Sequence, residues 1–196
     1  DQHYGLDERL AKVKGDDDEI FAMSAVHEGT ATLVMASYAA LAAARGRLGA
    51  ADLEAMRESE AGKGVKLQAM PAALRRQLIG PYFLGASFLL RGKTALGAAT
   101  FPFEDAARCY RAGPVSSEQI LHPEKFWDEA KRDLPRPVAQ GDAGVRLGEG
   151  WTKDGMGDLG ELTIGVMVGA PTPTVNDAGS LGGRAWTNAA ASGWGG

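Results

Sequence analysis

The sequence has few cysteines, no long apolar run and no extended cluster of basic residues, and each of these features would have indicated a class of protein. It has one cysteine, Cys109, so an internal disulfide framework is excluded and the redox compartment is left open. It has no apolar run long enough to span a membrane, and the longest candidate, 78–90, is interrupted. Its 21 basic residues are scattered over a chain of pI about 5.4. We therefore expect no transmembrane segment in this chain and no nucleic-acid partner.

The chain also lacks an initiating methionine and a signal peptide. It opens on Asp1-Gln2-His3-Tyr4 and closes on a glycine-rich end after Trp194. Both ends resemble the interior of a longer sequence. We therefore expect a piece of a larger protein, truncated at both ends, with export, envelope association and oligomeric state left open.

What is present is enough apolar material for one domain. The 196 residues are 44% hydrophobic, which suffices for a core of ordinary size. The 27 glycines are about twice the average usage, and most of the excess lies in the C-terminal half. The sequence predicts a mainly α-helical single domain over 1–196, with Gly/Pro-rich loops and little strand.

Periodicity and capping residues place the helices. Gly15 and the three aspartates after it are a typical helix start, and basic residues followed by Gly46 are a typical end. In the third predicted helix, Gly80-Pro81 must kink or break the chain, because proline removes a helical hydrogen bond. Helices are predicted over 19–44, 51–60, from 71 onward, and over 103–110, 157–168 and 181–192.

The segment between 112 and 150 carries shorter signals. Ser116 and Gln119 form a predicted capping box for a short helix that ends at His122. Pro123 starts a further turn. Periodicity is then lost, and a short strand is predicted over 145–147.

Glu28 is the residue that most needs a chemical explanation. On a helix it shares one stripe with apolar and small residues, among them Phe21, Ala25, Thr32 and Met35. An ionised carboxylate on such a stripe needs an ion pair, hydrogen bonds or a metal. From the residues alone, a solvated or salt-bridged helix carboxylate is the simpler interpretation.

Four stretches together resemble bacterial, largely uncharacterised zinc metallopeptidase-like proteins of the gluzincin type, which carry an H-E-x-x-H helix. The resemblance covers nearly the whole chain, and its most specific part is 117–125. The Asp1-Gln2-His3-Tyr4 start is similar to the segment that follows the H-E-x-x-H helix in that family, so that helix would precede this chain. The four stretches are 28–35, 78–83, 117–125 and 190–196.

The resemblance implies a function and assigns site residues. Glu28 would be the third zinc ligand beside two histidines of the H-E-x-x-H helix, and the site would hydrolyse a peptide or protein substrate through a metal-activated water. Thr32 would support a ligand by a hydrogen bond. His122 is the first candidate for stabilising the oxyanion and Tyr82 the second, whereas a histidine packed in the turn before Pro123 is the structural alternative for His122.

Departures from the pattern keep other functions open. His27-Glu28 does not begin an H-E-x-x-H motif, because Ala31 stands where the second histidine would be. His27 should face another helix or solvent, since adjacent helix residues diverge by about 100°. One carboxylate without its histidines should not hold Zn²⁺ tightly, so we expect this chain alone to be inactive. The alternatives are a helical scaffold that has lost the zinc site and an unrelated helical protein that binds a small ligand near Gly80-Pro81.

Overall fold

The structure is a computed structural model that describes most of the chain. The described residues are 2–13, 15–55, 58, 69–91, 102–136, 141, 147–152, 157–170 and 186–192. Over these ranges the protein is mainly α-helical and contains no strand, which confirms the predicted fold class.

Seven helices carry labels below, and short helical stretches lie between some of them. Residues 50–55 are helical, and Gln2–Tyr4 and Glu129–Lys131 form single 3₁₀ turns. The labelled helices are α1 (Leu6–Lys12), α2 (Asp17–Ala44), α3 (Ala72–Leu89), α4 (Phe103–Arg111), α5 (Ser117–Leu121), α6 (Glu124–Trp127) and α7 (Glu161–Met167).

Helix α2 begins and ends where its capping residues predict. The Asp16 side chain accepts a hydrogen bond from the Glu19 N–H at 2.8 Å, and further acids occupy the first turn, where they favour the helix dipole. Gly46, with φ of 66°, follows the last turn in the left-handed region that glycine tolerates. The predicted helix over 19–44 is confirmed, with its start two residues earlier.

Helices α2 and α3 form the centre of the fold and approach each other through glycines. A Cβ atom added to Gly29 would lie 2.2 Å from the main-chain carbon of Gly85, and one added to Gly85 would lie 1.7 Å from the carbonyl oxygen of Ala25. Phe21 contacts Gly80 and Gly29 contacts Gly85, so the residue numbers of the contacting positions increase in the same direction along both helices. The two helices therefore run in the same general direction.

Helix α3 continues through Pro81 to Leu89, so the helix is not broken at Gly80-Pro81, where the sequence predicts a kink or a break. Gly80 precedes the proline and has no Cβ to clash with its ring. Both residues are buried against α2. Packing on α2 therefore retains a helix that proline alone would disfavour.

The core extends from the α2–α3 contact to the shorter helices. Ser116 caps α5 by accepting from the Gln119 N–H at 3.3 Å, as predicted. The Gln119 side chain, however, accepts from the Val115 N–H at 2.9 Å rather than from the N-cap itself. Fully buried members of the core include Leu84 and Phe88 of α3, Ile120 of α5, Leu162 of α7 and Trp186.

Two C-terminal predictions need correction. The helix expected over 157–168 is shorter, Glu161–Met167, because Gly160 is extended and packs against the Asp18 side chain. Of the helix expected over 181–192, the described part, 186–192, forms turns in which the Asn188 side chain accepts from the Ala190 N–H. Residues 145, 146 and 181–185 lie outside the described ranges.

Candidate functional site

The Glu28 carboxylate lies beside the α2–α3 contact, one residue from Gly29. Glu28 is neither fully buried nor exposed, and Tyr82 on α3 is close enough for the Glu28 charge to act on its hydroxyl. The negative charge of Glu28 is the main cause that raises the pKa of Tyr82, with smaller contributions from burial and the hydrogen bond. The structure therefore brings together two of the sequence-predicted site residues.

Thr32 lies one turn after Glu28 and uses its hydroxyl on the main chain. Its Oγ1 donates to the carbonyl oxygen of Glu28 at 2.7 Å. This bond closes within the helix and does not reach the carboxylate. A supporting role of Thr32 toward the Glu28 side chain stays a prediction.

His27 faces away from Glu28, as helix geometry predicts. Its ring packs against Tyr110 of α4, with the ring centroids 5.4 Å apart. His27 also borders a small cavity lined by Cys109 and Arg9. Burial raises the pKa of the Cys109 thiol to about 12, so this cavity offers no reactive thiolate near neutral pH.

His122 forms part of a second polar group, at the start of α7. Its Nε2 atom lies 2.9 and 3.1 Å from the two carboxylate oxygens of Glu161, whose side chain is completely buried. The hydrogen bond to Glu161 raises the pKa of His122, although burial opposes the shift. His122 is the C-cap residue of α5, and its side chain is 18% exposed.

Arg76 and the segment 186–188 complete this group. Arg76 is buried on α3, donates a hydrogen bond to the carbonyl oxygen of Trp186 and lies 5.5 Å from the centroid of its ring. The Thr187 hydroxyl donates to Glu161. Burial lowers the pKa of Arg76 to about 10, and the charge of Glu161 opposes that shift. We call His122, Glu161 and Arg76 the buried charge cluster.

The buried charge cluster and the Glu28–Tyr82 pair lie on different parts of α3. Arg76 and Tyr82 are six residues apart, which is about 9 Å along the helix and a rotation of about 120° between side chains. The structure thus places Tyr82, and not His122, next to Glu28. An oxyanion role for His122 at the Glu28 site stays a prediction.

Sequence reasoning missed Glu161 and Arg76. Glu161 begins an apolar helix, and an acid at that position is usually solvated and interacts favourably with the helix dipole. Arg76 follows Arg75 in a helix whose sequence gives no sign of a buried charge. One signal was available: Glu161 and Gly165 are four residues apart and so share a face with the apolar stripe of α7. A glutamate on such a face predicts a buried partner.

The described residues form no zinc site by themselves. All three histidines of the chain lie in described ranges, at His3, His27 and His122. His3 is exposed and packs edge-on against Tyr4. Among the residues that the structure describes, no three His, Cys, Asp or Glu side chains form a group able to hold a metal ion. Glu28 could supply a carboxylate ligand, and the imidazoles would have to come from outside this chain.

Comparison with known proteins adds no assignment. No protein-family model, no curated protein and no solved structure matches this chain. Within the described ranges, none of the helices has the length and apolar character needed to cross a membrane.

Proposed function

We propose that this chain is part of a zinc-dependent peptidase and that Glu28 supplies its carboxylate ligand. The observation that carries the proposal is the placement of Glu28 beside the Tyr82 hydroxyl on the two closely packed central helices. A ligand carboxylate needs a rigid helix and a hydrogen-bonding neighbour to fix its orientation; α2 supplies the helix, and the Tyr82 hydroxyl would supply the neighbour. Such a position suits a site completed by two histidines of a preceding helix.

The residues of this chain would position the reacting groups. Zinc held at such a site supplies a bound water with a pKa near about 7 and polarises the scissile carbonyl of a peptide substrate. Glu28 would neutralise part of the cation's charge and hold it against α2. Tyr82 is 43% exposed as a residue. Its hydroxyl can donate either to Glu28 or to an oxyanion that develops beside it.

The test uses the complete reading frame that contains this chain. Zinc content and peptidase activity are measured for the wild type, for Glu28→Gln, and for Glu8→Gln, an exposed helical carboxylate that serves as control. We expect about one zinc per molecule in the wild type and in the control, and loss of zinc and activity in Glu28→Gln. Tyr82→Phe should retain zinc while kcat falls by about 10-fold or more.

Two outcomes would reject the proposal. If Glu28→Gln keeps its zinc, Glu28 is not a ligand. If the folded complete protein binds no zinc, the helical scaffold takes the place of the enzyme. The 196-residue chain alone should show no tight zinc binding, and stoichiometric tight binding by it would contradict the assignment of the other ligands to residues outside it.

A further inference from the structure

The segment 186–192 has no helix or strand of its own and is held by the buried charge cluster. Trp186 and Ala191 are completely buried at its two ends. Its polar anchors are the bond from Arg76 to the Trp186 carbonyl and the bond from the Thr187 hydroxyl to Glu161. Two of the three members of the cluster therefore contact this segment directly.

Glu161 joins the segment to His122. One carboxylate oxygen, Oε1, accepts from Thr187 and lies 3.1 Å from the His122 Nε2, while Oε2 lies 2.9 Å from the same nitrogen. The carboxylate is fully buried and cannot exchange these partners for water while the segment is in place. Release of the segment would admit water to Glu161 and weaken its interaction with the imidazole.

The charges that act on His122 come from two elements, α7 and α6. Glu161 on α7 is the dominant partner, and its charge also acts on Arg76 of α3. Glu124 and Lys125 on α6 act in opposite senses, the first favouring and the second disfavouring the imidazolium. Glu161 therefore decides the net effect.

We propose that the His122–Glu161 pair is a pH-responsive clasp that holds the segment 186–192 more tightly when the imidazole is protonated. The physical basis is linkage. A protonated His122 is stabilised more strongly by the Glu161 carboxylate while the segment keeps water from that carboxylate, so proton binding and closure favour each other. Deprotonation removes the attraction between two opposite charges and leaves a weaker hydrogen bond between a neutral imidazole and the carboxylate.

The direction and pH window follow from the raised pKa of His122. The contribution is fully present below the ordinary value of 6.5 and is lost as pH rises through the higher value of the closed state. Each pKa unit between the closed and open states changes the opening equilibrium tenfold. Asp18, whose pKa is about 6, is largely ionised in both states above about pH 7 and contributes little there.

Amide hydrogen exchange of the 196-residue chain between pH 6.5 and 8.5 tests the clasp. The reporters are the N–H groups of Ala191 and Ser192, which donate to the Asn188 carbonyl at 2.9 and 3.0 Å. Rates are divided by the intrinsic exchange rate at each pH. We expect protection to fall as pH rises, and His122→Gln to abolish this fall. Glu124→Gln, which leaves the Glu161 bond intact, should retain most of it.

The outcomes separate a clasp from a merely structural contact. Protection that does not change with pH in the wild type, or that changes equally in His122→Gln, overturns the proposal. Exchange of these amides at the same rate as the interior of α2 at every pH also overturns it, because the segment would then open only with the whole fold. If His122→Gln does not fold, Glu161→Gln is the second variant, and it too should show no pH response.

Discussion

At the scale of single residues, the surroundings of Asp18 disfavour the ionised form of its carboxylate. It lies in the first turn of α2, where its Oδ2 accepts from the Ser117 N–H at 3.0 Å. Burial nevertheless raises its pKa from 3.8 to about 6 and outweighs the opposing hydrogen bonds to Ser117, while the charges of Asp16 and Asp158 add smaller contributions in the same direction as burial. The folded protein therefore binds a proton at Asp18 that the unfolded chain has already released.

This difference predicts an unusual pH dependence of stability. Because the folded pKa is higher than the unfolded one, the contribution of Asp18 to stability falls as pH rises from about 4 to about 6, by at most about 3 kcal/mol. Asp18→Asn should remove this component and become more stable relative to the wild type at pH 7 than at pH 4. Urea unfolding across this range measures it.

The exposed neighbour Asp17 supplies the control. Asp17→Asn should follow the wild-type pH profile, since solvent screens that carboxylate. If the difference between the wild type and Asp18→Asn is the same at pH 4 and pH 7, the carboxylate is not destabilised by burial.

Residue identity predicted part of the candidate site. Glu28 stood out because a carboxylate on an apolar helical stripe needs a partner, and Tyr82 was placed beside a backbone irregularity. Their contact, however, depends on the register of α2 against α3, and 54 residues separate them in the sequence. Glu161 and Arg76 were missed for the same reason, since their partners lie on other elements and each looks ordinary in its own.

At the scale of helices, the crossing of α2 and α3 depends on two glycines. Gly29→Ala would place a Cβ 2.2 Å from the main chain of α3, where no side chain can move aside. We expect a loss of about 3 kcal/mol or more in unfolding free energy, measured by denaturant titration. Gly80→Ala is the matched change on α3, because its Cβ would meet side chains and no main chain of α2: the Phe21 ring at 3.3 Å and the Leu84 Cδ1 atom at 3.6 Å.

The control should cost less than Gly29→Ala, although its new Cβ also lies next to the Pro81 ring. The Phe21 ring can shift by a few tenths of an ångström, and alanine gains up to about 1 kcal/mol of helix propensity over glycine. Equal losses in Gly29→Ala and Gly80→Ala would contradict the close backbone contact.

Helix ends were predictable where a local cap decides them. Asp16 and Gly46 delimit α2, and Ser116 starts α5, in each case through groups a few residues away. Local signals failed at Pro81 and over 186–192, where packing on other elements decides the conformation. An alanine-rich run after Trp186 has high helix propensity, but burial of Trp186 and Ala191 imposes turns instead.

At the scale of the molecule, the C-terminal segment belongs to the same core as the central helices. Trp186 is completely buried within the cluster that includes Phe21 of α2 and Leu84 of α3. Arg76 covers its ring and binds its carbonyl, so one side chain contributes both apolar area and a fixed polar contact. Closure of the fold thus depends on contacts between residues 110 positions apart.

Removal of this tryptophan should therefore destabilise the whole protein. We expect Trp186→Ala to lower the free energy of unfolding by about 3–5 kcal/mol, since it leaves a large cavity and uncovers a buried arginine. Trp151→Ala removes the same side chain from a position that is 63% exposed and should change stability by no more than about 0.5 kcal/mol. Denaturant unfolding followed by far-ultraviolet circular dichroism measures both. A small loss in Trp186→Ala with the helical signal retained would mean that the central helices are stable without the segment, and the core would then end at α7.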